Sequence, residues 1–298
     1  MTFFEPPNEN LRSDGSANDE EITPSKYVTD QVELHLEDAF QGLSRLETNS
    51  IDLAIVDPPY GASSTASWAY ESKERLAGFG GDWKLTQESW DLITQHESFE
   101  GTIRWLQELK RVVRATGSIW IHSTYHNSGF VNVACQLLNV EIINEVVWFK
   151  RNAFPNLACR RLTASHETIL WAHTGGKKRE YLFNYDEAKR ATFVGDKLKE
   201  ADKQLRTVWD ISNNKTKEEL FFGSHPTQKP LRLTDRLLLI AGKPGGTLLV
   251  PFVGSGTELV SGVRYGMNVV GFENKEEFFD LAKRRLENEL ARAPSLFN

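Results

Sequence analysis

Along this chain, short apolar runs of strand length alternate with stretches whose apolar positions recur every three or four residues, the pattern of strands interleaved with amphipathic helices. The first such unit opens after Tyr27. Val32, Leu34 and Leu36 alternate with polar neighbours, residues 39–46 have helical spacing, and Leu53 to Val56 is continuously apolar. A run apolar on both faces predicts a strand covered on both sides of a parallel sheet. A helix is expected over residues 99–113, with Ile103, Leu106, Leu109 and Val113 on one face, stopping at Thr116-Gly117. A strand at 118–122 and a helix at 129–138 follow, then strands at 141–150 and 166–174 that read as an antiparallel edge. The C-terminal third is the most regular: a helix, strand 247–250, helix 258–265, strand 268–272 and a last helix. The fold class expected is α/β, a doubly wound mostly parallel sheet with an antiparallel edge hairpin.

Three stretches fall outside this rhythm. Residues 1–25 hold six acids and one base and little to bury, so a disordered tail is expected there, with one folded domain over 26–298. Residues 61–100 are polar and Gly-rich with scattered Trp68, Tyr70, Phe79, Trp83 and Trp90, too long for an ordinary connection; they are expected to form a flap over a site. Between 175 and 222 the periodicity weakens. Lys177, Lys178 and Arg179 precede Tyr181, Phe183 and Tyr185, and Lys197, Lys199, Lys203 and Arg206 precede Trp209. Bases interleaved with aromatics suit phosphates and unstacked nucleobases, so this insertion is expected to read a target.

Charge refines that expectation. The net charge of -6 argues against a nucleic-acid partner until its distribution is seen: residues 150–215 carry fourteen Lys or Arg against eight acids. Arg151, Arg160 and Arg161 lie in a basic loop of this region. No run is long and apolar enough for a membrane span and the N-terminus lacks a signal pattern, so a cytoplasmic protein without membrane contact is expected. Cys135 and Cys159 have no metal-ligand or CxxC spacing and read as reduced thiols. His122 and His126 have no third ligand at a suitable spacing, and no metal is expected.

The candidate chemistry sits where strands end. After Val56 come Asp57, Pro58, Pro59 and Tyr60. The prolines lack amide donors and hold the backbone extended, which leaves the Asp57 carboxylate and the Pro58 carbonyl as two rigid acceptors beside an aromatic face. Such a constellation suits a planar group bearing an amine. Pro251-Phe252-Val253-Gly254-Ser255-Gly256-Thr257 joins a strand to a helix with glycines that allow close backbone approach. A Walker lysine and the third glycine of a dinucleotide fingerprint are both missing. Glu273 ends the next strand, where a carboxylate can take a ribose diol. Asp38 ends the first strand and serves equally well as a ligand contact or as the cap of the following helix.

Taken together, DPPYG, HPTQKP, PFVGSGT and the strand-ending GFE resemble the amino-group DNA methyltransferases that use S-adenosylmethionine, in the β order with DPPY first and the glycine loop last. The resemblance spans residues 32–290. It implies a SAM-dependent methyltransferase fold, in which Asp57, Pro58, Pro59 and Tyr60 hold the exocyclic amine of a flipped base. It also implies cofactor contacts from Asp38, Thr227, Lys229, Phe252, Gly254, Ser255, Gly256, Thr257 and Glu273. Arg151, Arg160, Arg161, Lys177, Lys178 and Arg179 are the expected DNA contacts, double-stranded DNA the expected partner. A homodimer and a cognate restriction endonuclease are further partners that the resemblance suggests. Adenine N6 is the preferred target because Asp in the first motif position is commoner among the adenine enzymes; cytosine N4 is the alternative, and a non-catalytic DNA-binding protein of the same fold the reading from another class. The sequence departs from the pattern at Val250, where relatives commonly have Asp, and at Glu37, where Gly is frequent.

Overall fold

The structure, a computed structural model, describes residues 25–59, 95–153, 155, 160, 162–175, 179–190 and 203–292. The acidic tail and most of the expected flap lie outside these residues. In chain order the elements are β1 (Lys26–Val28), β2 (Val32–Leu36), α1 (Ala39–Arg45), β3 (Ile51–Val56), α2 (Gln95–Val112), β4 (Val113–Ser123), α3 (Ser128–Leu137), β5 (Glu141–Phe149), β6 (His166–His173), α4 (Tyr185–Arg190), β7 (Val208–Asp210), α5 (Leu231–Ala241), β8 (Thr247–Val250), α6 (Thr257–Arg264), β9 (Asn268–Glu273) and α7 (Glu276–Leu290).

One sheet of nine strands runs in the order β1-β2-β9-β8-β3-β4-β6-β5-β7. The block from β2 through β4 is parallel throughout. Beyond it β6 is antiparallel to β4, and β5 antiparallel to β6, which is the expected hairpin. Each face of the sheet is covered by helices, as a parallel block requires. On one face α5, α6 and α7 bury Leu237, Leu259 and Leu286 against Leu53, Ile55 and Leu248; on the other α1, α2 and α3 bury Leu43, Leu106 and Val131 against Ala54, Val56 and Ile121.

Three departures from the sequence reading have physical causes. The helix expected to stop at Gly117 ends at Val112 and passes directly into β4. Gly117 marks instead a bulge, where the β3–β4 register slips between Ile51↔Val113 and Leu53↔Ser118, and a Cβ there would lie 2.5 Å from the Asp52 carbonyl oxygen. The same helix begins at Gln95, inside the span read as flap. The hairpin is not the outermost element, because β7 pairs in parallel with β5 at its outer side. That strand brings Trp209, 3 % exposed, into the core, and Tyr181 and Phe183 pack edge-on against Trp171 at 5.5 and 5.3 Å between ring centroids. Trp209 and Tyr181, read as part of a platform for bases, are committed to packing, while Phe183 stays 39 % exposed.

Candidate active site

Parallel strands deliver their carboxyl ends to a single edge, and in this sheet those ends carry acids. Glu37 and Asp38 follow β2, Asp57 follows β3 and Glu273 closes β9. They surround a cleft of about 370 Å³ that is also lined by Pro58, Pro59, Thr227, Lys229, Phe252 and Gly254. This is the edge at which open α/β sheets bind ligands.

The Glu273 side of the cleft is held by backbone groups. Gly254 and Gly256 both have positive φ, 52° and 75°, so the loop after β8 turns back on itself. A Cβ at Gly256 would meet that of Ala282 at 2.8 Å, which makes glycine the residue that fits there. The turn aims the Gly254 N–H at one oxygen of Glu273 (2.8 Å), while the Lys275 N–H donates to the other (2.9 Å). Burial pushes the Glu273 carboxyl up, and these amides act in the opposite direction. Asp38 performs its capping role: its carboxylate accepts from the N–H groups of Phe40 at 2.9 Å and Gln41 at 3.4 Å, at the cleft wall. Glu37 is paired with Arg45.

On the Asp57 side the partners are distant side chains. The Lys229 ammonium donates to Asp57 Oδ2 at 2.6 Å and lies 4.0 Å from Glu167 on β6, whose other oxygen takes Lys150 at 2.6 Å. Lys229 is 4 % exposed. Burial works against its charge, but Asp57 and Glu167 outweigh that and raise its pKa. Burial raises Asp57, with Lys229 opposing and Glu167 adding to the rise. Glu167 ends up lowered: burial alone would raise it, and Lys229 and Lys150 reverse this. His225, the first residue of HPTQKP, packs edge-on against Phe278 at 4.3 Å and accepts from the Thr227 N–H at 3.3 Å. Burial and then Lys229 push it down to about 4, so its ring is neutral at physiological pH.

The structure therefore gathers Asp38, Asp57, Pro58, Pro59, Thr227, Lys229, Phe252, Gly254, Ser255 and Glu273 around one cleft. Gly256 and Thr257 stand behind its wall, where Arg285 donates to the Ser255 carbonyl at 2.6 Å and to the Thr257 hydroxyl at 3.1 Å. Arg151, ion-paired with Asp210, follows β5 at the same edge as the cleft, with Arg160 exposed in the loop that leads to β6. Arg179 is elsewhere. It pairs with Glu141 at 2.6 Å, at the start of β5 and so at the opposite edge of the sheet. Tyr60, Arg161, Lys177 and Lys178 lie outside the described residues. The sequence reading missed Glu167, Lys150, His225 and Glu258. His225 stood in a motif already singled out, and Glu258 follows the glycine loop directly; nothing local marks the other two.

Residues 51–284 match the family model described as DNA methylase, N6/N4 type. The chain is 35 % identical over 270 residues to the type II methyltransferase M2.DpnII of Streptococcus pneumoniae, covering 90 % of this chain and 94 % of that one. It is 33 % identical over 267 residues to type II methyltransferase M2.LlaDCHI of Lactococcus lactis subsp. cremoris, covering 89 % and 93 %. Among solved structures it resembles the PvuII DNA methyltransferase, cytosine-N4-specific, with a TM-score of 0.63, 17 % identity and 87 % of each chain covered. It also resembles M1.HpyAVI solved as a SAM complex, with a TM-score of 0.54, 21 % identity, and 86 % and 99 % coverage. At those identities the two structures speak for the fold.

Proposed function

The chain belongs to the N6/N4 DNA methylase family, and from that premise we propose that it transfers a methyl group from S-adenosylmethionine to an exocyclic amine of a base flipped out of double-stranded DNA, adenine N6 in preference to cytosine N4. The observation that carries this reading is the half-buried Asp57 carboxylate next to Pro58 and Pro59, in one cleft with the Gly254 turn and Glu273. The lining fits that cofactor. Five acids, Glu37, Asp38, Asp57, Glu258 and Glu273, face two lysines, Lys229 and Lys275, which favours a cation over a phosphate. Glu273 is fixed by two amides at the strand end, as a ribose-binding carboxylate needs to be.

When bound, S-adenosylmethionine supplies an electrophilic methyl group on a sulfonium sulfur. The protein's part is to make a poor nucleophile competent. An ionised Asp57 is an acceptor only, so together with the Pro58 carbonyl it takes both N–H bonds of the amine. That draws the nitrogen lone pair out of conjugation with the ring and aims it across the cleft. Transfer of that methyl group would form the carbon–nitrogen bond as the carbon–sulfur bond breaks, leaving S-adenosylhomocysteine, and the surplus proton of the alkylated amine would pass to solvent. Positioning and electrostatic alignment lower the barrier without a covalent enzyme intermediate. Tyr60, next in sequence, is assigned the stacking role, and flipping is required because the amine cannot meet a cofactor inside the duplex. Phe252, Ser255, Thr227 and Lys229 complete the cofactor contacts. Arg151 and Arg160, at the cleft edge, are the DNA contacts this placement favours. Residues 61–94, ahead of α2, and 175–222 are assigned to the flap and to target reading, and a homodimer and a cognate endonuclease to the enzyme's partners.

Adenine is preferred on the strength of Asp in the first motif position. Labelled S-adenosylmethionine, mixed-sequence duplex DNA and digestion to nucleosides test the whole reading. The expected product is N6-methyladenine. N4-methylcytosine alone would overturn the choice of base, and no transfer to any DNA would overturn the reaction.

A further inference from the structure

The acids lining the cleft can be accounted for one at a time, and one is left over. Glu37 is paired with Arg45, Asp38 caps α1, Asp57 holds Lys229, and Glu273 receives two amides. Glu258, on the first turn of α6, is 4 % exposed, lines the cleft, and its Oε1 has no hydrogen-bond partner among the described residues. A buried acceptor left unsatisfied is costly, more so when it is charged, and calls for a donor. Arg285, the nearby cation on α7, does not fill it, since it donates to Ser255 and Thr257.

We propose that Glu258 is the seat for the α-ammonium group of the cofactor's amino-acid end. This rests on the S-adenosylmethionine reading above and assigns one residue within it. Two observations orient the ligand. Glu258 interacts electrostatically with Asp57 and Lys229, which places it toward the methyl-transfer end of the cleft, whereas Glu273 closes the other end beside Phe272 and Asn274. A ligand that carries a cation relieves the burial of a second carboxylate beside Asp57 and lets it stay ionised. The groups facing Glu258 are Asp57 from the β3 end, Lys229 from the loop before α5, and Arg285 from α7; Asp235 of α5 is bonded to Ser261 instead. Burial first, and Asp57 second, push Glu258 up to about 7. An arriving ammonium reverses the balance, so binding near neutral pH releases about half a proton.

The test is calorimetric titration of the wild type and of Glu258→Gln with S-adenosylmethionine, S-adenosylhomocysteine and 5′-methylthioadenosine, which lacks the amino-acid end. Glu258→Gln is expected to lose roughly tenfold or more in affinity for the first two and less than about twofold for the third. Glu258→Asp, which keeps the charge, is expected to recover part of the loss. In buffers of different ionisation enthalpy the wild type releases protons on binding near pH 7, and Glu258→Gln releases fewer. Equal affinities of Glu258→Gln and wild type for all three ligands would overturn the assignment. So would a loss confined to S-adenosylmethionine, which would make the sulfonium the partner. A wild type that binds none of the three overturns the cofactor reading itself, and the assignment with it.

Discussion

The two ends of the cleft hold their carboxylates by different means. Around Glu273 the partners are backbone N–H groups supplied by a glycine turn and by the residue two positions on. Around Asp57 they are lysine side chains, linked through Glu167 into a chain from Lys150 to Lys229. Backbone amides survive every substitution except proline and carry no net charge, so the first end tolerates change. The second end depends on a balance of buried charges in which each member supports its neighbours. It is also the end assigned to the chemistry, where a tunable carboxylate is useful and robustness is given up.

The strongest way to break this contrast is Asp57→Ala. Methyl transfer to DNA is expected to fall by about 10³-fold or more, with S-adenosylmethionine affinity changed little; unchanged turnover would refute the role given to Asp57. Next is Lys229→Met, which leaves the half-buried Asp57 and Glu167 without their shared cation. A loss of about 4 kcal/mol in denaturant unfolding is expected, and a loss below about 1 kcal/mol would show that the lysine network is not what holds this end.

Glu258→Gln acts in the other direction. In the fold this carboxyl titrates near 7 rather than at its ordinary 4.5, so the native state binds the extra proton and stability declines as pH rises from 4.5 through 7. Without ligand, Glu258→Gln should be more stable than the wild type by roughly 3 kcal/mol above about pH 8 and equal to it near pH 4. Parallel stability curves across that range would contradict the burial argument. The smallest effect is expected from Glu273→Gln. One oxygen still accepts an amide and the new NH₂ faces the other, so unfolding should cost only about 1 kcal/mol. A larger cost there than for Lys229→Met would invert the comparison.

How legible each end was in the sequence follows the same division. The glycine turn, the strand ending at Glu273 and the prolines after Asp57 are local features, and local features are written in neighbouring residues. Lys229 and Asp57 lie 172 positions apart, and Glu167 sits inside an apolar-looking strand; no spacing announces that folding brings them together. The placement of Arg179 shows a second cause. A basic cluster near a candidate site in sequence was read as near it in space, but β6 runs against the parallel block, so the segment after it emerges at the opposite edge. Trp209 and Tyr181 were misread because β7 is three residues long and the segment around Tyr181 is irregular, too short to establish a period although both residues are packed against the core.

The junction between β4 and β6 carries one more consequence. Trp120 and Trp171 face each other across it in register, stacked with centroids 4.9 Å apart and planes 13° from parallel. Indole transitions this close couple as an exciton, and the in-plane skew between the two stacked rings sets the couplet seen in circular dichroism. The couplet reports whether the antiparallel half of the sheet is still docked on the parallel half, independently of the site and without any label.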